Sequence, residues 1–270
     1  MAVYESSRNA DTPLIEAIGL NKAFIRSGER VTAARDVSLN VRYGESVAIV
    51  GESGSGKTTA VRMALGLEQP DSGQIFYNGG NIRKKKCRDG LRSVTGLIFQ
   101  DPYSSMDPRW TAGQIVEEPL VLRGGLSHKE MDDKACDSLA AVGLDPSDFM
   151  GRFPQDMSGG QAQRIAIARA LVSGPKLLVA DEPMSAVDVS GRLQIVKVFN
   201  KLRAQGISML MVLHDLGLAQ QLADTVVVMH NGKVIETGPA RQVLGHPSQP
   251  YTRELIAAAQ WDVRQPAVQV

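Results

Sequence analysis

The run "GESGSGKT", Gly51 to Thr58, fills the spacing G-x-x-x-x-G-K-[ST], with apolar "SVAIV" before it and the helical pattern "TAVRMALGL" after it. In a strand–loop–helix setting that spacing is a phosphate loop. Gly51, Gly54 and Gly56 free the backbone to curl, so that the N–H groups of the loop, including Glu52, Ser53 and Ser55, can surround a β-phosphate. Lys57 brings a charge to the β/γ oxygens, Thr58 a hydroxyl to Mg²⁺, and Thr59 continues the first helical turn. A second apolar run, "KLLVAD", ends in Asp181-Glu182. Carboxylates at the carboxyl end of a parallel strand stand beside the phosphate crevice, where Asp181 can hold Mg²⁺ through water and Glu182 can polarise an attacking water. Gln100 and His214 follow the apolar runs "GLIFQ" and "MLMVLH". They are expected on the same rim, within reach of the γ-phosphate, with Gln100 also a candidate metal ligand. A lone Gln or His at a strand end is usually only a satisfied polar residue, and it is their neighbours that single these two out.

A further glycine pair lies in "FPQDMSGGQAQRIAIARAL", residues 153–171, where a polar loop turns into an Ala- and Ile-rich helix. A phosphate loop from one chain covers the α- and β-phosphates and leaves the γ side open to water. If two subunits meet head to tail, the helix start Ser158-Gly159-Gly160-Gln161 of one can cap the γ-phosphate held by the other, so that the nucleotide joins the interface. Ser158 also suits a plain helix N-cap, and the two roles are compatible.

These residues need a scaffold with parallel strands. "VAIVG", "LLVAD" and "MLMVLHD" are continuous apolar runs, as strands covered on both faces are, and helical patterns separate them. "LIEAIGLNKAF" and "ARDVSLNVRYGE" instead alternate as half-buried antiparallel strands do, with Tyr43-Gly44-Glu45 as a turn. In "TVVVMHNGKVIETG", Asn231-Gly232 between two apolar runs is a hairpin signal. From about Gln100 to Phe153 the texture is helical and punctuated by Pro102, Pro108 and Pro154, which reads as an inserted helical subdomain. The fold class is therefore α/β, with a mixed sheet core, an antiparallel β subdomain and a helical insertion. The final "VRQPAVQV" reads as a loose tail.

Composition limits the function classes. The 270 residues are 43% hydrophobic and 22% charged, enough for a sizeable core. Thirty Lys+Arg against 29 Asp+Glu give a net charge of +1, no global reason to expect nucleic acid. The basic run "IRKKKCRDGLR" raises nucleic acid or acidic lipid as a rival partner; without interleaved aromatics it reads as a solvated loop leading into the next strand. Cys87 and Cys136 match no metal-ligand spacing, which suits a reducing cytosol. The polar start carries no signal or transit pattern, and no apolar run approaches the roughly 18 residues needed to span a bilayer, so a link to a membrane is expected to run through a partner.

"MSGGQ" between "GESGSGKT" and "LLVADEP", followed by "SAVD" and His214, resembles an ATP-binding cassette ATPase over nearly the whole chain. The resemblance implies ATP and Mg²⁺ as ligands, a signature at 157–161, a D-loop at 185–188 with Ser185 and Asp188, and an aromatic stacked on adenine. Phe24 falls at that last position, with Tyr43 and Tyr77 as alternatives. It also implies a nucleotide-binding core in two parts, residues 1–99 and 158–245, a helical subdomain at 100–157 and a tail helix within 246–270. "FQDPYSSMDPRWTAGQIVEEPL", "DEPMSAVDVSGRLQIV" and "HPSQPYTRELIAA" are similar to the second ATPase of the oligopeptide, dipeptide and nickel importer branch. That implies a subunit on the cytoplasmic face of a bacterial inner membrane, paired with a second ATPase (the same chain or a homologue), with two transmembrane permease subunits and, indirectly, with a solute-binding protein. The solute, whether peptide, nickel, sugar or opine, is left open. Met157, Ala162 and Val187 depart from the usual Leu, basic residue and Leu. Trp110 and Met106 are candidate apolar anchors for a permease helix, with packing inside the lobe as the alternative. A soluble cassette outside transport and an ATP-binding scaffold without turnover are the rival classes.

Overall fold

The computed structural model describes residues 12–26, 29–185 and 187–263; the loose-tail reading for 264–270 falls outside them. Strands β1 (Ile15–Arg26), β2 (Glu29–Val41) and β3 (Ser46–Val50) lead into helix α1 (Lys57–Ala64). After β4 (Ser72–Tyr77) and β5 (Gly80–Asn81) come α2 (Lys85–Val94) and β6 (Thr95–Ile98). Helices α3 (Ala112–Arg123), α4 (His128–Ala141), α5 (Pro146–Phe149) and α6 (Gly159–Leu171) follow without an intervening strand. The chain then alternates β7 (Leu177–Asp181), α7 (Val189–Ala204), β8 (Ser208–Val212) and α8 (Leu216–Leu222), and closes with β9 (Thr225–His230), β10 (Lys233–Pro239), α9 (Ala240–Gly245) and α10 (Pro250–Val263).

Two sheets form. A mixed one runs β10-β9-β3-β8-β7-β6, and an antiparallel one runs β2-β1-β4-β5. In the mixed sheet every pairing except β9–β10 is parallel. Side chains on a strand alternate between faces. Ala48, Val50, Leu178, Ala180, Met209, Met211, Val226 and Val228 enter a core shared with α3 to α9. Their neighbours Val47, Ile49, Leu177, Val179, Leu210, Val212, Val227 and Met229 enter a second core under α1 and the antiparallel sheet. This is why "SVAIV" and "SMLMV" are buried at every position, and apolar at all but the leading serine, rather than at every second one: both faces are covered. Each buried Val, Leu or Ile contributes about 1.5–3 kcal/mol, so the strands that carry the site residues are held by the two largest apolar clusters in the molecule.

The β9–β10 hairpin turns at Asn231 (φ 48°) and Gly232 (φ 76°), the paired left-handed residues of a type I′ turn. Two readings need correction. The basic run is mostly not a loop: from Lys85 on it forms α2, whose Leu91 is buried, while Arg83 and Lys84 before the helix and Lys85 and Lys86 in its first turn stay exposed. One apolar anchor is too sparse a stripe to show as helical periodicity. Met106 is buried in the larger core and packs the lobe instead of facing a partner, whereas Trp110 is exposed. The three departures, Met157, Ala162 and Val187, are all buried in that same core, so in this chain those positions pack.

Candidate functional site

The loop from Gly51 to Gly56 joins β3 to α1 and is shaped by steric necessity. Gly51 has φ 146°, and a Cβ there would lie 2.1 Å from the carbonyl oxygen of Met229; at Gly56 (φ 100°) it would lie 2.2 Å from that of Ala33. Only glycine fits either place. Ser55 N–H donates to the Glu52 carbonyl, and Gly232 N–H to the Ser55 carbonyl, closing the loop against the β9–β10 turn. Lys57 is buried, and its Nζ donates to the carbonyls of Gly51 and Glu52, each at 2.8 Å. An ammonium has three N–H donors, so one remains for a phosphate oxygen. Burial pulls the Lys57 pKa below its ordinary value, while the charges of Glu182 and Asp181 work the other way.

At the end of β7, Asp181 Oδ1 accepts from the Thr58 hydroxyl at 3.2 Å across 123 residues of sequence. A carboxylate and a hydroxyl converging in this way are hard oxygen donors suited to Mg²⁺. Burial is the main reason that the Asp181 carboxyl titrates above its ordinary value, and the Glu182 charge adds to it; the Thr58 hydroxyl, Arg62 and Lys57 oppose the shift. A carboxylate so desolvated gains most from a bound cation.

Glu182 sits between two other predicted residues. Its Oε2 accepts from Gln100 Nε2 at 2.8 Å, and its Oε1 lies 2.5 Å from His214 Nε2. A carboxylate only accepts, which assigns the proton to His214 Nε2, and Gln100, having given its amide nitrogen to Glu182, keeps its amide oxygen for a metal. Glu182 has φ 48°, a conformation that costs a non-glycine residue about 1–3 kcal/mol. Its backbone is tied on both sides: its N–H donates to the Val212 carbonyl, and its carbonyl accepts from Ser185 N–H and the Ser185 hydroxyl. The register places Asp181 opposite Val212, so β7 and β8 end together and Glu182 and His214 meet just beyond them.

The signature residues are arranged differently. Ser158 is the N-cap of α6 and makes a reciprocal capping box with Gln161: Gln161 N–H donates to the Ser158 hydroxyl, and Ser158 N–H to Gln161 Oε1. Gly160 is buried against Gly191 of α7, where a Cβ would lie 3.3 Å from the Gly191 Cα, so its glycine serves helix packing. The plain-cap reading of Ser158 holds, and Gln161 has a local task that sequence reading did not give it. Gly159 opens the helix. Asp188 caps α7 by accepting from Gly191 N–H at 2.8 Å. Among the described residues, no hydrogen bond joins Ser158–Gln161 to the Lys57, Asp181 and Glu182 cluster.

The three aromatic candidates separate by position. Phe24 pairs with Val31 in the β1–β2 hairpin, two residues before Ala33, whose carbonyl abuts Gly56. Tyr77 pairs with Ile15 at the far end of β1, and Tyr43 donates its hydroxyl to neighbouring Asn78. Nine residues of strand, about 30 Å, separate Ile15 from Phe24. Only Phe24 lies at the loop's end of the hairpin, half-buried with Lys22 Nζ 5.2 Å from its ring centroid.

Sequence reading missed three contacts. Tyr103 donates its hydroxyl to the Met157 carbonyl at 2.8 Å, and buried Arg169 holds the carbonyl and hydroxyl of Ser105, so the segment after Gln100 is strapped to α6. Tyr251 of α10 reaches the phosphate loop. "HPSQPYTRELIAA" marks that stretch as distinctive, but no local pattern names a partner 199 residues away.

A phosphate loop beside the Thr58–Asp181 pair, a carboxylate clamped by Gln100 and His214 and a glycine-led helix start define a class, and the comparisons agree. Residues 34–185 match the family model described as ABC transporter. The chain belongs to the ABC transporter family of ATP-hydrolysing subunits. It is 40% identical over 257 residues to the dipeptide transport ATP-binding protein DppF of Haemophilus influenzae, covering 92% of this chain and 78% of that one. It is also 40% identical over 238 residues to the oligopeptide transport ATP-binding protein OppF of Lactococcus lactis, covering 87% and 74%. Among solved structures, a dimeric post-hydrolysis state of the ATP-binding cassette MJ0796 bound to ADP and Pi superposes with a TM-score of 0.74 at 29% identity, covering 84% of this chain and 99% of that one. ATP and Mg²⁺ are the ligands of this family's site. No helix among the described residues is long and apolar enough to cross a membrane.

Proposed function

We propose that the chain powers a peptide importer by hydrolysing ATP at an interface between two cassettes. The observation that carries this reading is the Glu182 carboxylate, clamped by Gln100 and His214 beside the Thr58–Asp181 pair. In it, residues Gly51 to Thr59 bind the phosphates, Lys57 faces the β/γ oxygens, and Phe24 stacks on adenine. Thr58, Asp181 and Gln100 hold Mg²⁺, which when bound neutralises charge on the transferring phosphate. Glu182 orients and deprotonates the attacking water, and His214 holds that carboxylate and reads the γ-phosphate. Ser158, Gly159, Gly160 and Gln161 present the N-terminus of α6 to the ATP of the partner cassette, with Ser185 and Asp188 at the same interface. Gln161 contributes there through its backbone, since its side chain closes the capping box.

The second cassette is a homologue or another copy. The named DppF and OppF relatives favour dipeptide or oligopeptide cargo over nickel, sugar or opine, and they give no support to a cassette working outside transport. The pair works with two transmembrane permease subunits, is supplied by a solute-binding protein, uses no nucleic acid, and lies peripherally on the cytoplasmic face of the inner membrane. In this reading the chain divides into core segments 1–99 and 158–245, a helical lobe 100–157 and a tail 246–270. Glu182→Gln tests the shared site: with MgATP it should hydrolyse at least about 100-fold more slowly and elute as a dimer, alone or with the partner cassette. A variant that binds ATP tightly and remains monomeric in both settings overturns the reading.

A further inference from the structure

We infer that Tyr251, on the C-terminal helix α10, is a positioning residue for the phosphate loop. The inference rests on that loop being the ATP site. The Tyr251 ring stacks on His230 with centroids 3.9 Å apart and planes at 31°, and its hydroxyl oxygen accepts from Glu52 N–H at 3.4 Å. The donor matters because Glu52 N–H and the Gly51 carbonyl are the two ends of one planar peptide unit. The carbonyl end of that plane accepts from Lys57 Nζ at 2.8 Å. Tyr251 thus holds one end of the plane and the phosphate-binding lysine the other. Rotation of the plane about its flanking bonds would withdraw a carbonyl from Lys57, and Gly51, at φ 146°, is the residue type least able to resist such rotation by itself.

The rest of the contact is built to be rigid. His230 ends β9, one residue after the Met229 carbonyl that Gly51 abuts, so ring and loop share one wall. The start of α10 is anchored separately: Glu236 on β10 accepts from Ser248 N–H and the Ser248 hydroxyl at 2.8 Å, and from Gln249 N–H at 3.2 Å. A restraint of this kind reduces what nucleotide binding must spend on ordering the loop and leaves the chemical step alone, so its loss belongs in affinity.

Tyr251→Phe, which keeps the ring and removes the acceptor, is the test, made on the full chain with MgATP. Equilibrium binding should weaken about fivefold, the effect of one hydrogen bond worth about 1 kcal/mol, with KM rising equally and kcat unchanged. The Glu52 amide should also exchange with solvent faster. ATP affinity and Glu52 exchange equal to wild type, or a fall in kcat at constant KM, overturns the inference and leaves Tyr251 a packing residue. Should Tyr251→Phe fold poorly, Glu236→Ala loosens α10 without touching the loop and should weaken ATP binding in the same direction; unchanged affinity there is equally fatal. Lys57→Ala separates the layers: if it binds ATP like wild type, the loop is not the nucleotide site and the premise fails, whatever Tyr251 does.

Discussion

The phosphate-loop side of the molecule and the signature side solve opposite problems. On the first, side chains from distant parts of the sequence bond to one another, Thr58 to Asp181 and Gln100 and His214 to Glu182, while Lys57 bonds to the carbonyls of its own loop. On the second, Ser158 and Gln161 satisfy each other within one helical turn, Asp188 does the same for α7, and Gly160 fills the contact between the two helices. One half assembles chemistry inside the chain. The other keeps its side chains occupied and is left with a helix N-terminus to offer, a surface suited to an anion brought by another molecule. The difference lies in the reach of the bonds: long-range side-chain pairs gather one cluster from distant strands, whereas bonds within a single helical turn only finish a helix end.

The sharpest way to break this comparison is within the bonded half. Lys57→Ala removes a charge facing the phosphates and should weaken ATP binding by about 10- to 100-fold. His214→Ala should leave affinity near wild type and lower turnover by about 100-fold, since the group it holds acts only in the chemical step. Titration calorimetry beside steady-state rates separates the two; equal losses of affinity would mean that His214 is a binding residue and that the clamp has been misread.

Ser158→Ala probes the self-contained half. Loss of an N-cap costs about 1 kcal/mol of stability, read as a lower thermal midpoint, and ATP affinity of the isolated subunit should not change. If monomer affinity falls as well, the signature contacts nucleotide in its own chain and the contrast between the halves collapses.

The smallest effect concerns the helical lobe that precedes the signature. Burial pushes the Glu117 carboxyl of α3 up to about 7, helped by a hydrogen bond to Asp132 of α4 and by its charge. Because the folded lobe holds that proton more tightly than the unfolded chain, its contribution is present below about pH 4.5 and is lost as pH rises through about 7. Glu117 is half-buried, and the water that still reaches its carboxyl screens the effect to a modest size. Glu117→Gln should raise the thermal midpoint at pH 8 and make no difference at pH 4.5; a midpoint that falls at pH 8 would show the carboxylate to be favourable.

Much of this was legible in order of residues alone, because some signals are local. A phosphate loop is a spacing on one turn, the Asn231-Gly232 hairpin is two residues needing positive φ, and strands covered on both faces are continuous apolar runs. Hence Gly51 to Thr59, Asp181 and Glu182 could be singled out from spacing, as could the α/β class, whereas the signature was named from the family resemblance. Where the signal was thin, reading failed: Leu91 alone could not announce α2, and nothing in "SSMDPRW" distinguished buried Met106 from exposed Trp110. What only the tertiary structure decided is who meets whom. Gln100 and Glu182 are 82 residues apart and Tyr251 and Glu52 are 199 apart. Contacts of that kind are fixed by which strands lie side by side and how a terminal helix returns across the sheet, and strand order and helix docking are set by the burial of two whole cores, a property of the assembled chain that no short stretch of it carries.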